Sequence, residues 1–210
     1  MTFLELCQRL RQEVGAAGTG PASVTGQNGE YARLIDWVRQ AWREIQSERR
    51  GWRFDWAEGS VELTADFRDY SLPADFDRWV DDSLYIGDDR LRVLDYDDFR
   101  QRFREPADEQ TISAATILPD MTLRLSRAPT ADATLAFEYY RAPQELANAS
   151  DVPRMPARFH MLIVYRAMMQ YGLYEEAPVV VQQGNSNASR MIDDLMQSEL
   201  GRIEMPEALA

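Results

Sequence analysis

The sequence predicts an α+β fold in which an antiparallel β module is inserted into a small helical bundle. Apolar residues recur at helical spacing near both ends of the 210-residue chain, whereas the middle has short alternating stretches separated by Pro and Gly. Two N-terminal helices therefore precede the β module and two C-terminal helices follow it. The expected parts are 1–50 (helices and a Gly-rich loop), 51–145 (β module), 146–202 (helices) and 203–210 (tail), within one structural domain overall.

Two amphipathic helices are predicted in the first fifty residues. Thr2 stands before an apolar stripe at helical spacing and has the chemistry of a helix cap. A loop rich in Gly, Ser and Thr follows at 15–29, but it lacks the Gly-Lys-Ser/Thr ending of a phosphate-binding loop. The second helix is expected over 30–49, with Gly51 as its stop signal. The first helix and its loop are expected to pack on a neighbouring copy or to rearrange during assembly.

The middle of the chain has the pattern of short strands. A β-hairpin is expected in WRFDWAEGSVELTAD, with its turn at Glu58-Gly59. The segment DYDDFRQRF predicts a short helix, because its first turn is acidic and its end is basic. Further strands are predicted near 68–72, 78–86, 90–94, 112–118, 121–126 and 133–141.

The most apolar stretch, RMPARFHMLIVYRAMMQYGLYEEAPVVV, predicts a helix over 156–175 that is apolar on nearly every side. Such a helix is expected to pack on the β module, on the other helices and on a neighbouring subunit. A last helix is expected over 186–202, with Pro178 either ending the preceding helix or starting the next element. The candidate core or subunit-interface residues of the apolar helix are Phe159, Ile163, Arg166, Met169 and Tyr171.

The single histidine, His160, lies in this apolar helix and is expected to be a core or surface residue. A histidine-dependent nucleophile needs a partner Ser or Cys and an orienting acid, and zinc needs three or four ligands. Cys7, the one cysteine, lies in another helix with apolar neighbours. We therefore expect no catalytic residue, no metal site and no cofactor, and we expect that the protein is not an enzyme.

Acidic and aromatic clusters leave two alternatives open. Two carboxylates across a cleft are enough for the hydrolysis of cell-wall glycan. Adjacent acids, however, point in different directions on a strand or a helix, so the acidic pairs are interpreted as solvated faces, turns and caps. Trp52 and Trp56 are expected in the core where the second helix meets the β module, and a sugar-stacking platform is the alternative.

The charge of the chain argues against tight DNA binding and in favour of protein contacts. The formal net charge is −12, and all 23 of the lysine and arginine residues are arginine. Phosphate binding needs a basic surface, which this balance does not provide. Arginine pairs with carboxylates through two hydrogen bonds, so many arginines and acids suit protein interfaces. No signal peptide and no uncharged run close to the ~20 residues of a membrane span are present, so no membrane association is expected.

Three stretches of the chain resemble the head-to-tail connector (adaptor) proteins of tailed bacteriophages, which dock beneath the portal ring. They are YARLIDWVRQAWREIQSERRGWRFDW, DYSLPADFDRW and the apolar helix with Phe-His, Tyr-Arg-Ala-Met-Met and Glu-Glu-Ala-Pro. The resemblance covers most of the chain. The chain departs from the family in its short C-terminal tail and in having no long segment that would reach far into a portal.

The resemblance implies a structural protein of the virion neck and tail that assembles in the host cytoplasm. It implies a ring of about a dozen copies (a dodecamer) that contacts the portal protein and the next tail or neck protein and continues the DNA channel. A negatively charged channel repels phosphate, so DNA would pass without specific binding. The alternative is another neck protein, such as a stopper, a tail terminator or a tail-completion protein.

Two further surfaces are predicted to serve contacts. The C-terminal tail is short, partly apolar and follows a helix end, which suits docking on the portal by ordering on binding. Its candidate portal-docking residues are Ile203, Met205, Pro206 and Leu209. Acidic turns of the β module are expected to face the channel or the tail, and their residues are Asp88, Asp89, Asp97 and Asp98.

Overall fold

A computed structural model describes residues 1–103 and 111–200 of the chain, and these fall into two compact units. Met1–Asp55 and the described part of Pro143–Ala210 form the helical unit, and Trp56–Ala142 forms the β unit. The β unit is therefore inserted, in sequence, between the two halves of the helical unit. The predicted α+β fold class is confirmed.

The described elements alternate in type along the chain as predicted, with helices at both ends and strands between them. The helices are α1 (Phe3–Glu13), α2 (Gly29–Glu48), α3 (Tyr96–Arg102), α4 (His160–Tyr174) and α5 (Pro178–Glu199), with 3-10 turns at Arg53–Asp55 and Ala157–Phe159. The strands are β1 (Trp56–Leu63), β2 (Asp69–Ser71), β3 (Phe76–Trp79), β4 (Tyr85–Ile86), β5 (Asp89–Arg90), β6 (Arg92–Val93), β7 (Ala114–Ile117), β8 (Thr122–Leu125) and β9 (Ala133–Arg141).

Local sequence signals start the first and last helices. The Thr2 hydroxyl accepts a hydrogen bond from the Glu5 backbone at 3.3 Å, and the Glu5 carboxylate accepts one from the Thr2 backbone at 2.8 Å. This reciprocal capping box satisfies two amides at the start of α1. α5 begins at Pro178, and the predicted start near residue 186 is wrong. Proline suits a first helical position because its φ is fixed and it has no amide hydrogen to satisfy.

The core of the helical unit is built around α4. This helix packs against α1, α2 and α5, which accounts for a middle section that is apolar on nearly every side. Burial of this apolar surface is the main stabilising term of the unit. Its fully buried side chains include Phe3, Leu6, Leu10, Leu34, Val38, Trp42, Ile45, Leu162, Ile163, Val164, Met168 and Leu195.

Two sheets form the β unit. In one sheet the strand order is β1-β9-β4-β5, with β3 also paired to β9, and in the other it is β2-β8-β7-β6. The described pairings are antiparallel apart from β6 with β7, which run parallel. The apolar side chains of this unit form a separate core, which includes Leu63, Leu84, Leu91, Leu123, Leu125, Leu135 and Phe137.

The predicted hairpin turn at Glu58-Gly59 is wrong. Both residues lie within the continuous strand β1, where Glu58 is paired with Glu138 and Gly59 with Phe137 of β9. A Cβ atom at position 59 would lie 2.6 Å from Cε2 of Phe137. Glycine is therefore present because an aromatic ring lies against the strand, and not because the chain turns.

Two of the other predicted strands are interrupted. The stretch 78–86 contains the end of β3 and all of β4, separated by a turn in which Asp82 has a φ of 58°. The stretch 90–94 is divided at Leu91, which lies between β5 and β6. Left-handed backbone at a non-glycine residue marks a tight turn, which hydrophobic alternation alone does not reveal.

Candidate functional site

The candidate residues of the apolar helix have different surroundings in the structure. Phe159 and Ile163 are buried in the core of the helical unit. Arg166 Nη2 donates to the Glu48 carboxylate of α2 at 2.8 Å, and the Tyr171 ring lies edge-on to Trp37 at 5.8 Å. Met169 is half-buried and lines a surface pocket. The helix therefore packs mainly within its own unit and reaches the surface at its C-terminal end.

The C-terminal end of α4 and the start of α5 present an exposed apolar surface with two acids, which we call the α4–α5 corner. Leu173 is 72% exposed and Val179 is 74% exposed. A pocket of about 540 Å³ adjoins them, and its lining includes Met169, Leu173 and Glu176. Exposed apolar surface next to a pocket is typical of an interaction site. The corner consists of Leu173, Tyr174, Glu175, Glu176 and Val179.

Glu176 has a backbone conformation that favours glycine. Its φ is 53°, directly after the end of α4, where a left-handed residue often ends a helix. A side chain in this conformation costs about 1 kcal/mol relative to glycine. Strained residues of this kind are concentrated at functional positions. The Ala177 backbone donates to the Gly172 carbonyl at 2.8 Å, so this conformation closes the C-terminal end of α4.

The four candidate acids of the β unit are exposed and belong to two local elements. Asp88 lies in the two-residue turn between β4 and β5, next to Gly87, whose φ is 59°. Asp89 is the first residue of β5. Asp97 and Asp98 form the acidic first turn of α3, and Asp97 is 3.4 Å from Arg100. They act as turn and helix-start residues, and they leave a negative surface exposed to solvent.

A pocket rimmed by arginines is the feature that sequence reasoning missed. We call it the arginine pocket; it has a volume of about 410 Å³ and lies beside α3 and β7. Its cationic residues come from three separate elements, and Arg90 is 3.2 Å from Asp82. Phe103, Ile112 and Ala114 provide apolar lining. The residues Asp89, Arg90, Arg92, Arg102, Phe103, Thr111, Ile112, Ser113 and Ala114 line the pocket.

The proposed tail contact lies beyond the part of the chain that the structure describes. Ile203, Met205, Pro206 and Leu209 are all in this region. Their role in docking on the portal stays a prediction from the sequence.

His160 and Cys7 are structural residues of the core. His160 is 1% exposed; its Nδ1 lies 2.7 Å from the Met1 amino group and its Nε2 lies 3.0 Å from the Met155 carbonyl oxygen. These partners assign the proton of the neutral ring to Nε2. Cys7 is fully buried, and burial raises the pKa of its thiol to about 12. A thiol with this pKa is a poor nucleophile, and the prediction of a core histidine is confirmed.

Replacing His160 by Gln is expected to flatten the dependence of stability on pH between about pH 5 and 7. Burial, reinforced by the Met1 amino group, lowers the pKa of His160 below its ordinary value of 6.5. On acidification below pH 6.5, His160 therefore binds a proton in the unfolded chain before it does so in the folded chain. The contribution of His160 to stability is therefore complete above 6.5 and is lost as the pH falls through the folded-state pKa.

Urea denaturation at several pH values measures this effect. The wild type should lose free energy of unfolding on acidification, and His160→Gln should lose less, after an initial cost of about 1–2 kcal/mol at pH 7. Equal slopes for the two proteins would contradict the account. The carboxyl groups with lowered pKa values do not interfere with this comparison of the two proteins between about pH 5 and 7. Hydrogen bonds from Arg124, Arg43 and the Asn148 backbone lower the pKa of Asp69, Glu145 and Asp151 below ordinary values of 3.8, 4.5 and 3.8.

The tryptophans differ from the expected arrangement. Trp52 is buried in the helical core and its indole nitrogen donates to the Ile45 carbonyl at 3.2 Å. Trp56 is exposed, so the expectation that both residues are in the core is wrong for Trp56. The burial of Trp52 also rules out a sugar platform that uses both rings, because stacking needs an accessible face.

Two features of other protein classes are absent from residues 1–103 and 111–200. Among these residues, no group of three or more His, Cys, Asp or Glu side chains is arranged to hold a metal ion. In the same part of the chain, no helix has the length and hydropathy needed to cross a membrane.

The similarity of the chain to a known family extends over nearly its whole length. The model of the SU10 adaptor protein family matches residues 1–208. The chain belongs to the SU10 adaptor protein family. This confirms the predicted resemblance to phage head-to-tail adaptors. No curated protein matches the chain significantly. As an SU10 adaptor, it has a structural role in the virion, which is consistent with the expectation that it is not an enzyme.

Proposed function

We propose that this SU10 adaptor forms a ring of about a dozen copies beneath the phage portal, and that the ring joins the head to the next tail or neck protein. The family match over residues 1–208 is the observation that carries the proposal. The exposed apolar surface of the α4–α5 corner supports it, because such surfaces usually bind another protein. Assembly of the ring would take place in the host cytoplasm.

The charge of the chain supports the passage of DNA through this ring. Each copy contributes a formal charge of −12, and exposed acids such as Asp88 and Asp98 contribute to it. A channel wall of this sign repels phosphate, so DNA slides through and is not held. We assign the acids of the β unit to the channel or to the next tail protein, and the C-terminal tail to the portal.

Direct binding to the portal tests this function. Purified chain is mixed with purified portal rings in the absence of other neck proteins, and the complexes are examined by electron microscopy and mass photometry. A ring of this chain on the portal is the expected result. Binding that requires another neck protein would indicate a stopper or a tail terminator, and no binding under either condition would contradict a neck function.

Deleting Met205 to Ala210 is expected to abolish portal binding in this assay and to leave the fold intact. The deleted segment contains three of the four candidate docking residues and lies outside the described residues. Circular dichroism and thermal unfolding of the deletion variant serve as the control for folding. Retained portal binding by the folded variant would disprove the role of the tail without affecting the ring proposal.

A further inference from the structure

Two surfaces of this chain carry side chains of opposite charge that form no ion pair within the described residues. At the α4–α5 corner, the carboxylates of Glu175 and Glu176 make no ion pair or hydrogen bond with the described residues and lie beside the exposed Leu173. At the arginine pocket, the guanidinium groups of Arg92 and Arg102 likewise have no such partner within the described chain. The corner is apolar and acidic, and the pocket is mostly polar, with three arginines and a smaller apolar part. A match of this kind sets the orientation in which two proteins dock.

We infer that the α4–α5 corner of one copy docks in the arginine pocket of the next copy around the ring. This inference rests on the proposed ring, and it assigns two faces of the subunit to its contacts. A ring needs two different surfaces on each subunit that complement each other, because a head-to-tail contact closes on itself only in this way. In the contact, Glu175 and Glu176 face Arg92 and Arg102, and Leu173 lies on the apolar lining of the pocket.

The dimensions of the pocket suit this occupant. Its volume of about 410 Å³ falls within the range of about 300–1,000 Å³ found for pockets that enclose ligand-sized groups. Phe103 and Ala114 are buried members of its lining, so an incoming leucine side chain would meet a packed apolar surface. Arginine forms two parallel hydrogen bonds with a carboxylate, which gives the contact a defined geometry.

A phosphate group of DNA is a less suitable occupant. The chain has a net charge of −12, and DNA-binding surfaces are extended basic areas and not single pockets.

Charge reversal tests the contact. The corner variant is Glu175→Arg with Glu176→Arg, and the pocket variant is Arg92→Glu with Arg102→Glu. Each variant alone places like charges against each other in every contact of a ring, and this should raise the concentration for half-maximal ring formation on the portal at least about tenfold. The variant that carries all four changes should return to within about threefold of the wild type.

Mixing the two variants gives a sharper result. In a one-to-one mixture, the basic corner of one variant can dock in the acidic pocket of the other. The acidic corner of the second variant can likewise dock in the basic pocket of the first. A ring in which the two variants alternate therefore has opposite charges at every contact. Rescue by mixing requires a contact between copies and does not follow from altered folding. Mass photometry of the portal complexes and native mass spectrometry of the mixed rings measure it.

Two controls accompany this experiment. Asp193→Arg with Asp194→Arg reverses an exposed acidic pair farther along α5 and should leave ring formation unchanged. Glu176→Gly keeps the backbone conformation but removes the charge. It should raise the melting temperature by about 2–4 °C while weakening ring formation.

The outcomes separate the inference from the function on which it rests. If the wild type forms no ring on the portal, the proposed function fails. If the wild type forms a ring and both reversed variants assemble equally well, the docking contact is disproved and the function stands. If the pocket variant assembles normally but loses binding to duplex DNA, the pocket is a phosphate site and the inference is wrong.

Discussion

Replacing Arg154 by Met is expected to lower the free energy of unfolding by about 3–5 kcal/mol. Arg154 Nη2 lies 3.2 Å from the Asp55 carboxylate, and the two side chains are 16% and 11% exposed. Removing the cation takes this counter-charge from a buried carboxylate, and the lost attraction is strong because little water screens it.

The position of this pair explains why the loss affects the whole helical unit. Asp55 is the last residue of the first half of that unit, and Arg154 lies in the segment that leads into α4. The Arg154 backbone also donates to Gln144 Oε1 at 2.9 Å, and the Gln144 backbone donates to Gln46 Oε1 at 2.6 Å. These contacts connect the two halves of the unit near the points where the chain leaves it and returns to it.

The exposed pair of Arg43 and Glu145 provides a matched control. Its atoms are closer, at 2.6 Å, but the side chains are 58% and 57% exposed. Arg43→Met should therefore lower the free energy of unfolding much less than Arg154→Met, since water already solvates both charges. Urea denaturation of the two variants compares them directly. Similar losses for Arg154→Met and Arg43→Met would show that burial does not determine the strength of these pairs.

Replacing Gly184 by Val is expected to destabilise the helical unit by about 3 kcal/mol, because α4 and α5 pack too closely to admit a side chain. A Cβ atom at position 184 would lie 2.8 Å from the Tyr165 carbonyl oxygen and 3.1 Å from Met169. The backbone of α4 cannot yield as a flexible side chain would. Gly172 has the same role on α4, since its Cβ would lie 2.7 Å from Val181.

Two opposing effects decide the result for the smaller variant Gly184→Ala. Alanine favours a helix by about 1 kcal/mol over glycine. The contact with the α4 backbone costs more than this gain, so the net change should still be destabilising. Ser189→Val, at an exposed position of the same helix, measures the effect of a β-branched residue alone. A stability of Gly184→Val close to that of Ser189→Val would contradict close packing at position 184.

Local signals made much of the helical unit predictable. Thr2 and Glu5 are spaced as a capping box, and the apolar residues of α4 occur on nearly every side of the helix, which indicates burial. Glycines were harder to interpret. Gly59 was interpreted as part of a turn, although it is present because an aromatic ring lies close to the strand. Gly184 lies before the predicted start of the last helix, and the sequence does not show that it allows α4 and α5 to pack closely.

The candidate contact surfaces were harder to predict because they depend on tertiary structure. Arg90, Arg92 and Arg102 belong to β5, β6 and α3, and it is the folding of the β unit that places them around one pocket. Leu173 and Val179 have the same apolar character as their buried neighbours. Their exposure arises because they lie where α4 ends and α5 begins, whereas the neighbouring Tyr174 contacts Trp37 and Arg33 of α2. Hydrophobic periodicity does not contain this information.

The copy number of this chain relative to the portal protein, measured by quantitative mass spectrometry of purified virions, tests the adaptor proposal most directly. A ratio near one to one is the expected result, because a ring beneath the portal would match its subunits. A ratio near one half would indicate a stopper or a tail terminator with six-fold symmetry. Absence of the chain from the virion would contradict the adaptor account.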